Sequence, residues 1–247
     1  MSPVSTAAHG QVTVITIDNP PVNALSQSVR EGLLNGIVDA EADDHCKAIV
    51  IHCVGRTFIA GADIKEFGKP PLEPYLPDVV ARIDACAKPV IAALHGTALG
   101  GGFEVALGCH YRIALSSGAV GLPEVNLGLL PGASGTQRLP RLVGAEKAMD
   151  MMLSGKPVKA AAALNAGAVD RIVDDELLEE AVAYATKCVE QGPRRTSTMD
   201  VPEVDVALFD ATRQKIAPRT RGLISPEKIL SAVALSTTVS FEEGCAQ

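Results

Sequence analysis

The stretch of sequence that decides the fold is His95-Gly96-Thr97-Ala98-Leu99-Gly100-Gly101-Gly102-Phe103-Glu104. It follows the apolar run 89–94, which predicts a strand covered on both faces, and it leads into a predicted helix. Three successive glycines are costly in backbone entropy, and such a run is expected where another group must approach the main chain closely. Because free amides at a helix start bind negative charge, the stretch predicts either an anion-binding turn or a tight strand-to-helix packing.

Strand, turn and helix units alternate along the rest of the chain, which predicts the α/β class. A helix stop and a proline at 192–195 divide a core of residues 1–190 from a helical C-terminal segment of residues 191–247. Within that segment, residues 203–247 predict two or three helices. The other predicted elements are strands at 12–17 and 47–53, helices at 26–43 (capped by Ser26 or Ser28), 147–153 and 177–189, an exposed loop at 69–74, and a helix capped by Ser225.

Composition narrows the classes of function. Lys and Arg number 22 against 29 Asp and Glu, and the net charge of −7 disfavours sequence-independent binding to nucleic acids. The six cysteines and five histidines show no ligand or disulfide spacing, so we expect neither a metal site nor a disulfide framework. Neither a signal peptide nor an apolar run near the ~20 residues that cross a bilayer is recognisable. We therefore expect a cytoplasmic protein without a membrane span.

Candidate chemistry lies in two loops and two glutamates. The loop 58–65 (FIAGADIK) also follows a strand, and an amide from it and one from the glycine stretch could form an oxyanion hole on a carbonyl oxygen. Glu104 falls in the first turn of a predicted helix, where the helix dipole favours a carboxylate. Glu124 follows a short apolar segment and precedes a second glycine-rich run. Taken singly, each glutamate is better explained as a surface residue than as a catalytic one.

Taken together, these motifs resemble the crotonase superfamily, and specifically its enoyl-CoA hydratase/isomerase branch. The resemblance covers residues 10–190. Within the branch, residues 106–114 and 121–125 are most similar to the N-terminal part of multifunctional fatty-acid β-oxidation enzymes, which continue into a 3-hydroxyacyl-CoA dehydrogenase. The runs that match in order and spacing are 19–25 (NPPVNAL), 60–63 (AGAD), 88–93 (KPVIAA) with the glycines and Glu104, 121–124 (GLPE) and 131–139 (PGASGTQRL).

The resemblance implies a fold and a reaction. The fold is the crotonase (ClpP-like) spiral of ββα units with a helical C-terminal segment. The reaction is addition of water to a trans-2-enoyl-CoA to give a 3-hydroxyacyl-CoA, with Δ3-Δ2-enoyl-CoA isomerase activity as a second expectation. By family position, the oxyanion-hole amides fall on Ala62 and Gly101. Glu104 falls where relatives activate the water, and Glu124 where they protonate the α-carbon.

The resemblance also implies the partners of the site. The expected ligand is the acyl-CoA itself, so no separate cofactor is expected. Lys65 is the cation nearest by family position, whereas Arg194, Arg195, Arg219 and Arg221 form a basic cluster for which a solvated face is favoured. Asn126, Gln137 and Arg138 are expected to organise the loop after Glu124. The full set of expected substrate-binding residues is Val22, Ala24, Leu25, Ala60, Ala62, Asp63, Ile64, Lys65, Gly100, Gly101, Pro123 and Gly132.

Two other functions stay open at this point. Another crotonase-type reaction, such as thioester hydrolysis or decarboxylation, shares the oxyanion hole, although retention of Glu104 and Glu124 argues against it. A non-catalytic role, including the RNA binding known among family relatives, is disfavoured by the net charge of −7. Acyl-chain length is left open, as is the choice between a homo-oligomer (a trimer or a dimer of trimers) and one part of a multifunctional enzyme.

Overall fold

A computed structural model describes residues 2–66, 68–218, 220 and 222–247. Its strands are β1 (Val4–His9), β2 (Val12–Ile17), β3 (Ala48–Cys53), β4 (Val90–Leu94), β5 (Thr97–Leu99), β6 (Tyr111–Leu115), β7 (Ala119–Gly121), β8 (Val158–Lys159) and β9 (Arg171–Val173). Its α-helices are α1 (Gln27–Ala42), α2 (Leu76–Ala85), α3 (Gly101–Gly108), α4 (Gly135–Val143), α5 (Ala145–Ser154), α6 (Ala160–Ala166), α7 (Leu177–Gln191), α8 (Ala207–Ile216), α9 (Ser225–Leu235) and α10 (Phe241–Ala246). Short 3-10 helices lie at Ile64–Glu66, Glu124–Leu127 and Thr196–Thr198.

The strands form two sheets. The larger sheet has the order β1-β2-β3-β4-β6-β9, in which β1 pairs antiparallel with β2 and the other neighbours are parallel. The smaller sheet has the order β5-β7-β8. After β4 and β6, which lie in the larger sheet, the chain adds β5 and β7 to the smaller sheet and then continues into α3 and α4, so that two successive ββα units are formed. This arrangement confirms the α/β class and the spiral of ββα units.

The larger sheet is covered on both faces, as its runs of β-branched residues predict. One face packs on α7 through the buried side chains Val12, Val14, Ala48, Val50, Ile91, Ala93, Leu177, Ala181, Ala185 and Cys188. The opposite face belongs to the main core, in which alternate residues of the same strands meet α1, α2 and α3. Because successive residues of a strand point to opposite faces of the sheet, the same strands contribute side chains to both hydrophobic cores.

Most predicted elements lie where the sequence places them. The predicted strands 12–17, 47–53 and 89–94 agree with β2, β3 and β4 to within one residue, and the loop 69–74 is exposed. Ser26 precedes α1, but its hydroxyl lies 3.1 Å from Ser28 Oγ and caps no amide. The prediction of a Ser225 cap was wrong, because Ser225 is already helical and Ile224 precedes the helix. The strands β1, β5, β6, β7, β8 and β9 were not predicted.

The C-terminal helices pack back onto the rest of the chain. Ile229, Leu230 and Val233 of α9 are completely buried in the main core together with Met149 and Met152 of α5. The predicted boundary at residues 190 and 191 coincides with the end of α7, and the division into a core and a separate segment stays a prediction. Among the described helices, none is both long enough and apolar enough to cross a membrane.

Candidate active site

The glycine stretch lies directly against the loop that follows β3. The amide of Phe58 donates to the carbonyl of His95 at 2.9 Å, and that of Leu99 donates to the carbonyl of Ile59 at 3.0 Å. A Cβ on Gly102 would lie 2.2 Å from the Ile59 carbonyl oxygen, far inside van der Waals contact. Only glycine therefore allows this approach, and the close-packing interpretation of the stretch is correct for Gly102.

The anion-binding interpretation fits Gly101. Gly100 has φ +53°, which turns the chain so that Gly101 begins α3 with a free amide. A Cβ built on Gly101 would lie 3.9 Å from the amide nitrogen of Ala62. Within the described residues, neither the Ala62 amide nor the Gly101 amide donates a hydrogen bond to another protein group. Two unpaired main-chain donors thus lie side by side, as an oxyanion hole requires.

Both amides open on a cavity of about 440 Å³ that also contains the two candidate carboxylates. Its wall is mainly apolar, which keeps the effective dielectric low and strengthens electrostatic effects inside it. The lining residues are Ala60, Gly61, Ala62, Ile64, Leu76, Pro77, Leu99, Gly100, Gly101, Glu104, Pro123, Glu124, Leu127, Leu129, Gly132 and Ala133. All four residues expected to carry the chemistry therefore line one common cavity.

Glu104 is held in place by main-chain amides. Its side chain is 2 % exposed, and Oε1 accepts hydrogen bonds from the amides of Ala133 at 2.7 Å and Gly135 at 2.8 Å. Burial, followed by the nearby charge of Glu124, raises the pKa of Glu104 to about 8. The two amides and Arg138 oppose that rise, because each of them stabilises the carboxylate.

Glu124 lies on the other side of the glycine turn, at the start of the 3-10 helix Glu124–Leu127. Its Oε1 would be 3.0 Å from a Cβ on Gly100, so the carboxyl group packs against a bare Cα. Its buried Oε2 has no hydrogen-bond partner among the described groups. Burial raises the pKa of Glu124 to about 7. The two carboxyls titrate as a coupled pair, which holds one proton at pH values between these two pKa values.

Arg138 supports the loop that binds Glu104. Ser134, between Ala133 and Gly135, has a left-handed φ of +73°, and Arg138 Nε donates to its Oγ at 2.8 Å. Arg138 is 1 % exposed, and Nη1 donates to Asp84 Oδ1 at 2.6 Å. Arg138 thus organises this loop as expected. Asn126 and Gln137 instead bond to the carbonyls of Gly155 and Ala232, at 3.0 and 2.8 Å.

The other predicted binding residues fall into two groups. In the cavity wall, Ala60, Ile64, Gly100, Pro123 and Gly132 accompany the four residues above. Outside it are Val22, Ala24, Leu25, Asp63 and Lys65, for which a role in binding CoA stays a prediction.

Of the four arginines in the predicted basic cluster, the structure describes Arg194 and Arg195. Arg194 pairs with Asp170 and lies over the Tyr111 ring, with its guanidinium carbon 4.9 Å from the ring centroid. Arg195 donates to the carbonyl of Ala85 at 3.1 Å. These contacts give both arginines a structural role. Arg219 and Arg221 lie outside the described residues.

Sequence reasoning missed the apolar part of the wall. Leu76 and Pro77 come from the start of α2, and Leu127 and Leu129 follow Glu124. Leu127 is 68 % exposed, which is unusual for a leucine and marks the open side of the cavity. A leucine-rich run after a predicted catalytic residue was the available signal, but its placement depends on the turn at Gly128.

Comparison with known proteins agrees with this geometry. The family model described as Enoyl-CoA hydratase/isomerase matches residues 7–215. A peroxisomal bifunctional enzyme of Danio rerio is 42% identical over 238 residues, which cover 94% of this chain and 33% of the relative. A probable enoyl-CoA hydratase of Bacillus subtilis is 43% identical over 208 residues, which cover 81% of each protein. This chain thus spans about a third of the length of the bifunctional relatives.

Solved structures agree as well. An enoyl-CoA hydratase from Bacillus anthracis superposes with a TM-score of 0.70 at 28% identity, over 98% of this chain and 90% of the other. DspI of Pseudomonas aeruginosa superposes with a TM-score of 0.73 at 31% identity, over 95% and 96% of the two chains.

Proposed function

Since this chain belongs to the enoyl-CoA hydratase/isomerase family, we propose that it adds water to trans-2-enoyl-CoA thioesters to give 3-hydroxyacyl-CoA in fatty-acid β-oxidation. The observation that carries the proposal is the common cavity, in which two unpaired amides and two carboxyls of raised pKa converge. A thioester conjugated to a double bond needs these groups: donors for the oxygen, a base for water and an acid for the α-carbon.

In this proposal the amides of Ala62 and Gly101 bind the thioester oxygen. Negative charge develops on that oxygen when water attacks C3, because the electrons of the double bond move towards the carbonyl. Donors already in position stabilise this charge without reorganisation, by roughly 3 to 4 kcal/mol for each donor. Since both are main-chain groups, the side chains of the two residues contribute little.

The proton balance assigns one task to each carboxyl. Glu104, as the carboxylate, accepts a proton from water while the water oxygen bonds to C3. Glu124, as the carboxylic acid, gives its proton to C2 of the enolate. One proton therefore remains on the pair after each turnover, and it must pass from Glu104 to Glu124 before the next. The order of the two pKa values, about 8 for Glu104 and about 7 for Glu124, favours the proton on Glu104 in the free protein, whereas hydration starts with the proton on Glu124. The proton must therefore move to Glu124 when the substrate binds. The two amide hydrogen bonds to Glu104, which stabilise its carboxylate, and the unpartnered Oε2 of Glu124 support that arrangement.

The same groups support Δ3-Δ2-enoyl-CoA isomerase activity as a second function. Glu124, as the carboxylate, would remove a proton from C2 of a 3-enoyl-CoA and return it to C4. The oxyanion hole would hold the intermediate dienolate. This reaction needs no water, so replacement of Glu104 separates it from hydration. Neither reaction uses a cofactor beyond the CoA of the substrate.

The test is steady-state turnover of crotonyl-CoA, followed by loss of enoyl-thioester absorbance. Glu104→Gln and Glu124→Gln should each lower kcat by about 10² to 10⁴-fold, the usual contribution of general acid–base catalysis. Glu31→Gln, an exposed substitution on α1, is the matched control and should retain full activity. Release of free CoA thiol in the same assay would show thioester hydrolysis instead. Full activity of either active-site variant contradicts the proposal.

Location and assembly are parts of the proposal as well. All six cysteines are free thiols, which supports the cytoplasm, although several relatives are named as peroxisomal or glyoxysomal enzymes. For assembly we propose either a homo-oligomer or the N-terminal part of a multifunctional enzyme. The length of the bifunctional relatives supports the second alternative, and sedimentation analysis of the natural protein distinguishes them.

A further inference from the structure

Arg30 of α1 is a charged residue buried beside the cavity, with 7% of its surface exposed. Its Nε donates to the carbonyl of Pro74, and its Nη2 donates to that of Leu72, both at 2.8 Å. Its Nη1 donates to the carbonyl of Leu25 and to Glu66 Oε2, again at 2.8 Å. One guanidinium therefore joins three separate segments of the chain.

Each of these segments borders the cavity. Glu66 ends the loop that carries Ala62, and Leu25 belongs to the segment that runs beside that loop. Leu72 and Pro74 lead into α2, whose first residue Leu76 is part of the cavity wall. The Arg30 side chain thus fixes the surroundings of the cavity.

The loop that carries Ala62 is anchored on both sides of that residue. Before it, the amide of Ala60 donates to the carbonyl of Val22 at 3.2 Å, and the amide of Leu25 donates to the carbonyl of Gly61 at 3.0 Å. After it, Glu66 binds Arg30 and also accepts from the amide of Gln27 at 2.6 Å. Glu66 thereby caps α1, the task that Ser26 does not perform.

We propose that Arg30, acting through Glu66 and Leu25, is a positioning residue that holds the Ala62 amide beside the Gly101 amide. The inference rests on the proposed function, because it assumes that these amides bind a thioester oxygen. A buried guanidinium is costly to desolvate, and an apolar side chain of similar size would fill the same space at lower cost. What the apolar side chain could not do is bind three loop carbonyls and a carboxylate at once.

The main test variant is Arg30→Met, with Arg82→Met as its matched control. Arg82 also joins α1 to a neighbouring element through a carboxylate, Glu41, but outside the cavity wall. Arg30→Met should lower kcat for crotonyl-CoA by about 10- to 100-fold, the usual effect of a small misplacement of a catalytic group, and leave KM within about threefold. Arg30→Lys should restore part of kcat, and Arg82→Met should change neither constant.

A spectroscopic measurement separates positioning from a loss of folded protein. Butyryl-CoA labelled with carbon-13 at its carbonyl cannot be hydrated, and hydrogen bonding lowers the infrared stretching frequency of that carbonyl. The frequency should fall when the ligand binds to the wild type, and should fall less in Arg30→Met at saturating ligand. If Arg30→Met does not fold, Glu66→Gln, which keeps the side-chain shape, should show the same loss to a smaller extent.

The outcomes distinguish the two levels of the proposal. No frequency shift in the wild type overturns the oxyanion hole and, with it, the role of Arg30. A full shift and an unchanged kcat in the folded Arg30 or Glu66 variant overturns the positioning role alone. A reduced shift together with reduced kcat and unchanged KM supports it.

Discussion

We predict that the buried Glu104 carboxylate destabilises the folded protein at alkaline pH. Replacement of Glu104 should therefore increase the free energy of unfolding at alkaline pH. The side chain is buried, and its pKa rises from 4.5 to about 8, first because of burial and then because of Glu124. Glu104→Gln removes the charge but keeps an oxygen that can accept from the amides of Ala133 and Gly135. We expect this variant to be nearly inactive and more stable than the wild type.

The sign and size of the effect follow from the two pKa values of Glu104. Below pH 4.5 the carboxyl is protonated in both the folded and the unfolded chain, so it adds no pH dependence. From there to about pH 8 only the unfolded chain releases the proton, and the wild type loses up to about 1.4 kcal/mol per pH unit. Above about pH 8 the loss is constant. Relaxation of the site reduces the total, which we place on the order of 3 kcal/mol.

Urea unfolding at pH 5 and pH 9 measures this difference directly. The free energy of unfolding of Glu104→Gln, relative to the wild type, should increase by on the order of 3 kcal/mol between the two conditions. Glu31→Gln, which is exposed on α1, should show no such increase. A wild type that is as stable as Glu104→Gln at pH 9 would refute the proposed environment of this carboxyl.

Three further predictions follow from the same site. The initial hydration rate should show a bell-shaped pH dependence with its maximum between about pH 7 and about pH 8, because the pair must hold one proton. A flat profile from pH 6 to pH 9 would contradict the shared proton. Gly135→Ala should lower kcat by about 10²-fold, because the added Cβ would lie 2.9 Å from Glu104 Oε1. Glu31→Gln, which is exposed on α1, is its control in the same kinetic assay, and equal activities of the two variants would argue against a Glu104 carboxylate held by the amides of Ala133 and Gly135. Gly102→Ala should lower the free energy of unfolding by about 3 kcal/mol or more, because its Cβ would overlap the Ile59 carbonyl. Urea titration checks this last value, and a loss below about 1 kcal/mol would mean that the two loops can separate easily.

Local sequence signals were sufficient for much of the fold. The β-branched runs of β2, β3 and β4 have strong strand propensity and few competing helical patterns, so their bounds were predicted closely. The strands β5, β7 and β8 have only two or three residues each. Such strands exist because partners from distant parts of the chain supply their hydrogen bonds, and a local pattern does not contain that information.

In the candidate site, too, the residues could be predicted but their contacts in space could not. Resemblance placed Ala62, Gly101, Glu104 and Glu124, but nothing local predicts that the amides of Ala62 and Gly101 meet. That meeting depends on hydrogen bonds between residues about 40 positions apart, such as the one from Leu99 to Ile59. Arg30 was not singled out from the sequence, because an arginine on a predicted helix is usually solvent-exposed. Its burial follows from three loops that fold over it.

Placing the oxyanion donors in the main chain affects how this chain can vary over evolution. Nearly every amino acid supplies the same amide N–H, so drift at position 62 can change pocket shape while it retains the donor, proline excepted. The carboxyls at positions 104 and 124 have no such tolerance, since a single nucleotide change can abolish them. New thioester chemistries on this scaffold are therefore expected to arise through those two positions, with the main-chain donors inherited unchanged.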